Sequence, residues 1–205
     1  MPKSFFENKE LREKRFETIV NTSLRLFATY GYKKVTIDQI TKECHYSHGL
    51  FYHYFDTKDS VLKEIENRCN KLFKDEFVKL SKEFEIGEPF LVEVVRLLIN
   101  YINQGHISNY YVHLMLSTQL ARLNEGDKFL FMDKETNKLL VKSLQIIKES
   151  TRQDKITTFK NTVIYFLTVI DSLSYYKIVY PNIYSNKVNA DSFYTKLINF
   201  VYKNN

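Results

Sequence analysis

The sequence predicts an all-α protein of about nine helices, and three observations carry that expectation. Five Gly and three Pro among 205 residues leave little turn chemistry for a sheet protein. Apolar residues recur at three- and four-residue steps in segment after segment, the spacing of a helix buried on one face. No segment alternates strongly enough to read as a strand.

The first helix is expected from about Asn8 to Tyr30, on the stripe Phe16, Ile19, Val20, Ser23, Leu26, Phe27 and Tyr30. Gly31 follows at once and can take a left-handed C-cap without steric cost. Thr36-Ile-Asp-Gln39 reads as a capping box, with Thr36 as N-cap and Gln39 reaching back to it. The short helix it opens turns Ile37 and Ile40 inward, with Cys44 one turn further on. His45-Tyr46-Ser47 is a turn, and Ser47 is the N-cap of a second short helix over His48–Tyr54. Two short helices joined by so tight a turn form a helix-turn-helix at residues 36–55, whose second helix can enter a major groove.

After Asp56-Thr57 a long helix is expected over Lys58–Phe84, with Val61, Ile65, Cys69, Phe73 and Phe77 along one side. Pro89 suits the first turn of the next helix. Further amphipathic runs cover about Phe90–Asn103, Tyr110–Leu123, Lys128–Glu149, Lys155–Val179 and Asp191–Tyr202. Gly105, Gly126, Ser150–Asp154 and Pro181-Asn182 separate them.

Composition narrows the functional classes. The net charge of +6 is compatible with nucleic-acid binding. Residues 1–59 carry 10 Lys and Arg against 8 Asp and Glu, and the rest of the chain 20 against 16, so no basic lobe stands out. The case for DNA therefore rests on pattern. Two distant cysteines, Cys44 and Cys69, show no disulfide framework and point to the reducing cytoplasm. No signal peptide is expected, and no window reaches the roughly 18 uninterrupted apolar residues of a membrane span, so no membrane partner is expected. Gly-rich phosphate loops, paired Glu-x-x-His motifs and nucleophile elbows are absent, so the chain is not expected to be an enzyme or to need a cofactor.

The segment Ile19 to Leu62 resembles the N-terminal domain of the TetR family of bacterial regulators. The matching residues are Ile19, Leu26-Phe27, Gly31-Tyr32, Val35-Thr36-Ile37, Ile40, Ser47, Gly49, Tyr52, Phe55, Lys58-Asp59 and Leu62. The sequence departs from the family where Thr41 replaces a small residue and where His45 replaces a turn glycine. The resemblance implies a three-helix DNA-binding domain over residues 1–57 and a helical ligand-binding and dimerisation domain over 58–205. It also implies that Thr36, Tyr52 and Lys58 anchor backbone phosphates, while Ser47 opens the recognition helix and His48, Gly49, Leu50 and His53 approach base edges. Hydroxyls, ammonium groups and helix N-termini suit phosphate oxygens. No Arg, Asn or Gln lies in that helix, so the strong bidentate base pairings are missing and a modestly discriminating, AT-rich operator is expected.

Cys44, His45, His48 and His53 invite a metal reading, but they span a turn and no second cluster follows at finger-like spacing. A buried Cys and DNA-facing imidazoles are expected instead, with no metal. Lys155–Val179 is apolar on nearly every side, which calls for burial of two faces. A homodimer is therefore expected, in which this helix and Asp191–Tyr202 meet their symmetry mates, with Ile170 and Ile178 at the contact. The alternative is a central core helix of a monomer. A small apolar ligand is expected among Tyr101, Tyr110, Met115, Gln119, Phe129 and Tyr165. The polar outliers Asn100, His113, Gln119 and Asp171 lie within apolar runs, and a buried Asp171 needs a partner. The expected function is sequence-specific repression from a double-stranded operator, relieved by that ligand. A helical-bundle carrier or enzyme, or an architectural DNA-binding protein without ligand, are the rivals.

Overall fold

The computed structural model describes residues 5–124, 134–150, 159–184 and 186–199, and its regular elements among them are helices. In chain order these are α1 (Phe5–Tyr30), α2 (Ile37–Cys44), α3 (His48–Tyr54), α4 (Lys58–Glu83), α5 (Glu88–Gln104), α6 (His106–Asn124), α7 (Lys134–Ser150), α8 (Phe159–Val179) and α9 (Ala190–Ile198). The expected first turns of α7 and α8, from Lys128 and Lys155, and the end of α9 toward Tyr202 lie outside the described residues. α6 starts at His106 rather than Tyr110. Gly105 takes φ 73°, so the chain reverses in a single residue and the next helix begins at once.

Packing divides the chain into two units, Met1–Arg68 and Cys69–Asn205. The division falls inside α4, whereas the sequence reading sets the boundary at its first residue. The reason is that the opening turns of α4 complete the first unit's core. Val61 and Ile65 are buried, Arg68 makes two 2.8 Å hydrogen bonds to Glu17 of α1, and its guanidinium lies 5.5 Å from the Phe16 ring centre.

In the first unit, Ile19, Val20, Leu24 and Phe27 of α1 are buried together with Val35, Ile40, Phe51 and Phe55. Phe16 stacks on Phe55 at 5.0 Å. Arg25 of α1 reaches Glu43 of α2 at 2.6 Å. Full burial of one such Phe or Ile contributes roughly 1.5–3 kcal/mol, which is how helices as short as α2 and α3 persist.

In the second unit, the central element is α5, which packs against α6, α7, α8 and α9. Phe90, Leu91, Val94, Val95, Leu98, Ile99 and Ile102 are all buried on it. α6 and α8 run antiparallel, because Asn109 meets Ser174 and His113 meets Asp171. α9 lies on α5 through Arg96–Asp191 at 2.7 Å and Tyr194–Glu88 at 3.3 Å.

The expected place of Ile170 at a dimer contact needs correcting. Ile170 is 0% exposed within its own chain, so it serves the unit's core and is not available to a partner. Ile178 is half-buried, and Tyr175 and Tyr176 are the exposed large side chains of this helix among the described residues.

Candidate functional site

The site is built from α2, the turn after it, and α3. Thr36 caps α2 as its sequence implies: its Oγ1 accepts from the Gln39 N–H at 3.2 Å, and Gln39 Oε1 accepts from the Thr36 N–H at 2.9 Å. His45 stands where the resemblance implies a turn glycine, and it adopts φ 56°, ψ 39°. Histidine is among the residues that tolerate this left-handed region. The His45 and Tyr46 N–H groups donate back to Lys42 and Thr41 at 3.1 and 2.9 Å, closing α2. Thr41 is buried without harm, since its hydroxyl donates to the Asp38 carbonyl at 3.0 Å.

Ser47 then caps α3, accepting from the Leu50 N–H at 3.2 Å. Phe51 points inward at 0% exposure, and Phe55 seals the far end. That anchoring decides which side faces out: His48, Gly49, Tyr52 and His53 are exposed, and Leu50 and Tyr54 are half-buried. Tyr52 is 51% exposed.

The first surprise is His48. Its Nε2 lies 3.2 Å from Asp38 Oδ1 of α2, a contact the sequence does not announce because ten residues and a turn separate the two. In the tautomer that donates Nε2–H to the carboxylate, Nδ1 is left as an acceptor. The second is Lys58. Its ammonium donates to the carbonyls of Tyr32 and Val35 at 2.9 and 2.7 Å and sits 4.2 Å from the Tyr32 ring centre. Two of its three N–H groups thus hold the turn before α2, and a phosphate can engage the third. The Tyr32 hydroxyl donates to Asp59, and burial together with that carboxylate pushes its pKa up to about 12. Lys33, Lys34 and Lys42 are exposed beside this frame and were not singled out from sequence, because scattered lysines carry no motif.

The residues that invited a metal are spread over different tasks. Cys44 is buried, and burial raises its pKa; His45 caps α2, His48 meets Asp38, and His53 lies against Tyr54 with ring centres 5.0 Å apart. Among the described residues no group of three His, Cys, Asp or Glu side chains could hold a metal ion. No helix among them is long and apolar enough to cross a membrane.

In the second unit, Tyr101, Tyr110 and Met115 are the residues expected around a ligand whose side chains are described. Tyr101 is half-buried edge-on to Phe73 at 5.5 Å, and burial raises its pKa. Met115 is a core residue at 7% exposure. Phe129 and the side chains of Gln119 and Tyr165 lie outside the described residues. Tyr110 does line a cleft of about 270 Å³, together with Asn103, Asn109, Lys177 and Tyr184 and the apolar Ile102, Ile178 and Pro181. Asp171 has the partner its burial demands, His113 at 2.7 Å, while Asn100 is simply exposed.

Residues 19–65 match the family described as bacterial regulatory proteins, tetR family. The HTH-type transcriptional regulator YuxN of Bacillus subtilis is 40% identical over 57 residues, which is 28% of this chain and 19% of that protein. The chain thus spans about a fifth of that relative's length. Over nearly the whole chain the likeness is one of fold. A γ-butyrolactone receptor (ArpA-like protein) superposes with TM-score 0.53 at 14% identity, covering 93% of this chain and 96% of the other. A putative fatty acid metabolism regulator of Clostridium perfringens gives 0.52 at 16%, covering 90% and 96%. The helix-turn-helix thus lies within the segment that matches the tetR family of bacterial regulatory proteins, and the all-helical fold that carries it is shared with these two proteins.

Proposed function

We propose that the chain is a sequence-specific DNA-binding transcriptional repressor that works as a homodimer and releases its operator when a small molecule binds the second unit. The observation that carries this reading is α3: capped at one end, pinned by Phe51 and Phe55, and turning His48, Gly49, Tyr52 and His53 outward on one face. Such a helix matches the width of a major groove. Thr36, Ser47, Tyr52 and the free N–H of Lys58 are the phosphate contacts in this reading; His48, Gly49, Leu50 and His53 read bases. Asp38 orients His48, so that Nδ1 faces a donor such as the amino group of adenine or cytosine.

A second copy is needed because one seven-residue helix covers a single half-site, whereas paired half-sites lie roughly 34–36 Å apart. The aromatic cluster at the end of α8 supports self-association. Tyr176 stacks on Tyr180 and Tyr184 with ring centres 6.0 and 5.6 Å apart, yet all three remain at least 40% exposed. Exposed apolar surface of this kind marks contact sites. The names of the two structural relatives, a γ-butyrolactone receptor and a fatty acid metabolism regulator, support a small organic effector.

Selection from random duplexes tests the reading. A palindrome-like site is the expected product, and enrichment of no site overturns it. Asp38→Asn is expected to change base preference within each half-site while leaving salt dependence alone. Sedimentation at low micromolar concentration is expected to give a dimer, and Tyr176→Lys a monomer.

A further inference from the structure

The cleft beside Tyr110 differs in chemistry from the apolar cavity that the sequence leads one to expect. Its walls combine a short apolar floor, Ile102 and Pro181, with the polar groups of Asn103, Tyr110 and Lys177. Asn103 is committed to the backbone of Val188, accepting from its N–H at 2.9 Å and donating to its carbonyl at 2.8 Å, so it braces the rim. Among the described residues Lys177 is the one cation on the cleft wall. Its ammonium donates to the Asn186 carbonyl at 3.0 Å, and among the described residues no carboxylate pairs with it. Two N–H groups therefore remain for another acceptor. A half-buried ammonium beside a hole, without a counter-charge, is an arrangement that a ligand anion completes. Partial burial of Lys177 also lowers its pKa, the direction a bound anion would reverse.

We infer that this cleft binds a small carboxylic acid with a compact apolar body, its carboxylate on the Lys177 ammonium and its body against Ile102 and Pro181. The inference deepens the effector reading above and rests on it only for the link to DNA release. Size narrows the class further: about 270 Å³ lies below the usual range for drug-sized ligands, which selects aromatic or short-chain acids over long acyl chains.

Calorimetric titration of the full chain with benzoate and hexanoate, set against benzamide, hexanamide and inorganic phosphate, tests it. The acids are expected to bind, and the amides to bind about tenfold more weakly or worse, since a hydrogen bond to a charged group is lost. Phosphate is expected to bind no better than the amides. Lys177→Gln should reduce acid affinity about tenfold, and Lys177→Arg, which retains the charge, should keep most of it. Thermal melting of both variants identifies any loss due to misfolding, and the Arg variant then carries the comparison. Equal binding of acid and amide, equal binding of phosphate, an unchanged Lys177→Gln, or no binding by either acid overturns the inference. The operator assay is run in parallel. Acids that bind without releasing DNA refute the effector reading and leave the site standing; DNA binding without acid binding does the reverse.

Discussion

α3 and α8 both present aromatic rings to solvent, but the two helices are held by different means. α3 has seven residues and takes its position from contacts close in sequence: the Ser47 cap three residues back from Leu50, and Phe51 and Phe55 one turn apart. α8 has twenty-one residues, and its polar contacts reach 58 and 65 positions away, to His113 and Asn109 of α6. The shorter helix thus has a readable address and little stability of its own, whereas the longer one has ample helical length and an address set from outside. The recognition role proposed for α3 gains from the first arrangement, since its outward face is determined by a few neighbours and is otherwise free to vary.

The largest expected effect comes from removing the pin of the short helix. Phe51→Ala leaves a cavity at a fully buried site and should cost about 3–5 kcal/mol, read as a lower thermal midpoint by circular dichroism, with loss of operator binding. A drop below 1 kcal/mol would mean that α3 is not held as described. The matching cut in α8 is Ser174→Ala. The Ser174 hydroxyl contacts the Asn109 carbonyl and amide oxygens at 3.2 and 2.5 Å inside the second unit. Its removal takes the hydroxyl donor from the buried Asn109 amide oxygen and should cost about 1–3 kcal/mol, with DNA affinity per folded molecule unchanged.

A smaller effect follows at the α1–α4 seam. Arg68 holds the Glu17 carboxyl below its usual pKa, mainly through the hydrogen bond. A depressed carboxylate contributes stability at pH above its unfolded value, and that contribution disappears as pH falls through the folded one. Arg68→Met should therefore cost up to about 1 kcal/mol near neutral pH, and the gap to the parent should close as pH falls below the ordinary glutamate range. A gap independent of pH, measured by denaturant titration at several pH values, would assign the loss to packing on Phe16 instead. The smallest effect on stability belongs to Gly49. A Cβ there meets nothing nearer than Ser47 Oγ at 3.9 Å, so Gly49→Ala should leave the fold unchanged or stabilise it by up to about 1 kcal/mol. DNA affinity should nonetheless fall, because the added methyl occupies the face proposed to approach bases; an unchanged affinity would remove Gly49 from that proposal.

Much of the first unit was legible in the sequence: the capping box at Thr36, the cap at Ser47, the left-handed Gly31 after α1, and the inward Ile40. These depend on contacts within four residues, and the chain carries them in its order. The outward turn of His48 and His53 follows from the same local register. What it could not carry is the partner of each face. Periodicity tells which side chains share a side of a helix, and the hydrophobic effect has no direction by which to say what covers them. Ile170 and Tyr176 are both apolar residues on α8, yet one is fully buried and the other exposed. Lys58 reads from sequence as a phosphate anchor alone, and the two carbonyls 23 and 26 residues away that take two of its N–H groups carry no local signal. The Arg68–Glu17 pair spans 51 residues, and the cleft around Lys177 gathers side chains from α5, α6, α8 and the turn after it. Local sequence determined where helices begin and end; only tertiary packing decided which side chains meet, because those meetings depend on segments folding back over distances that no short-range pattern records.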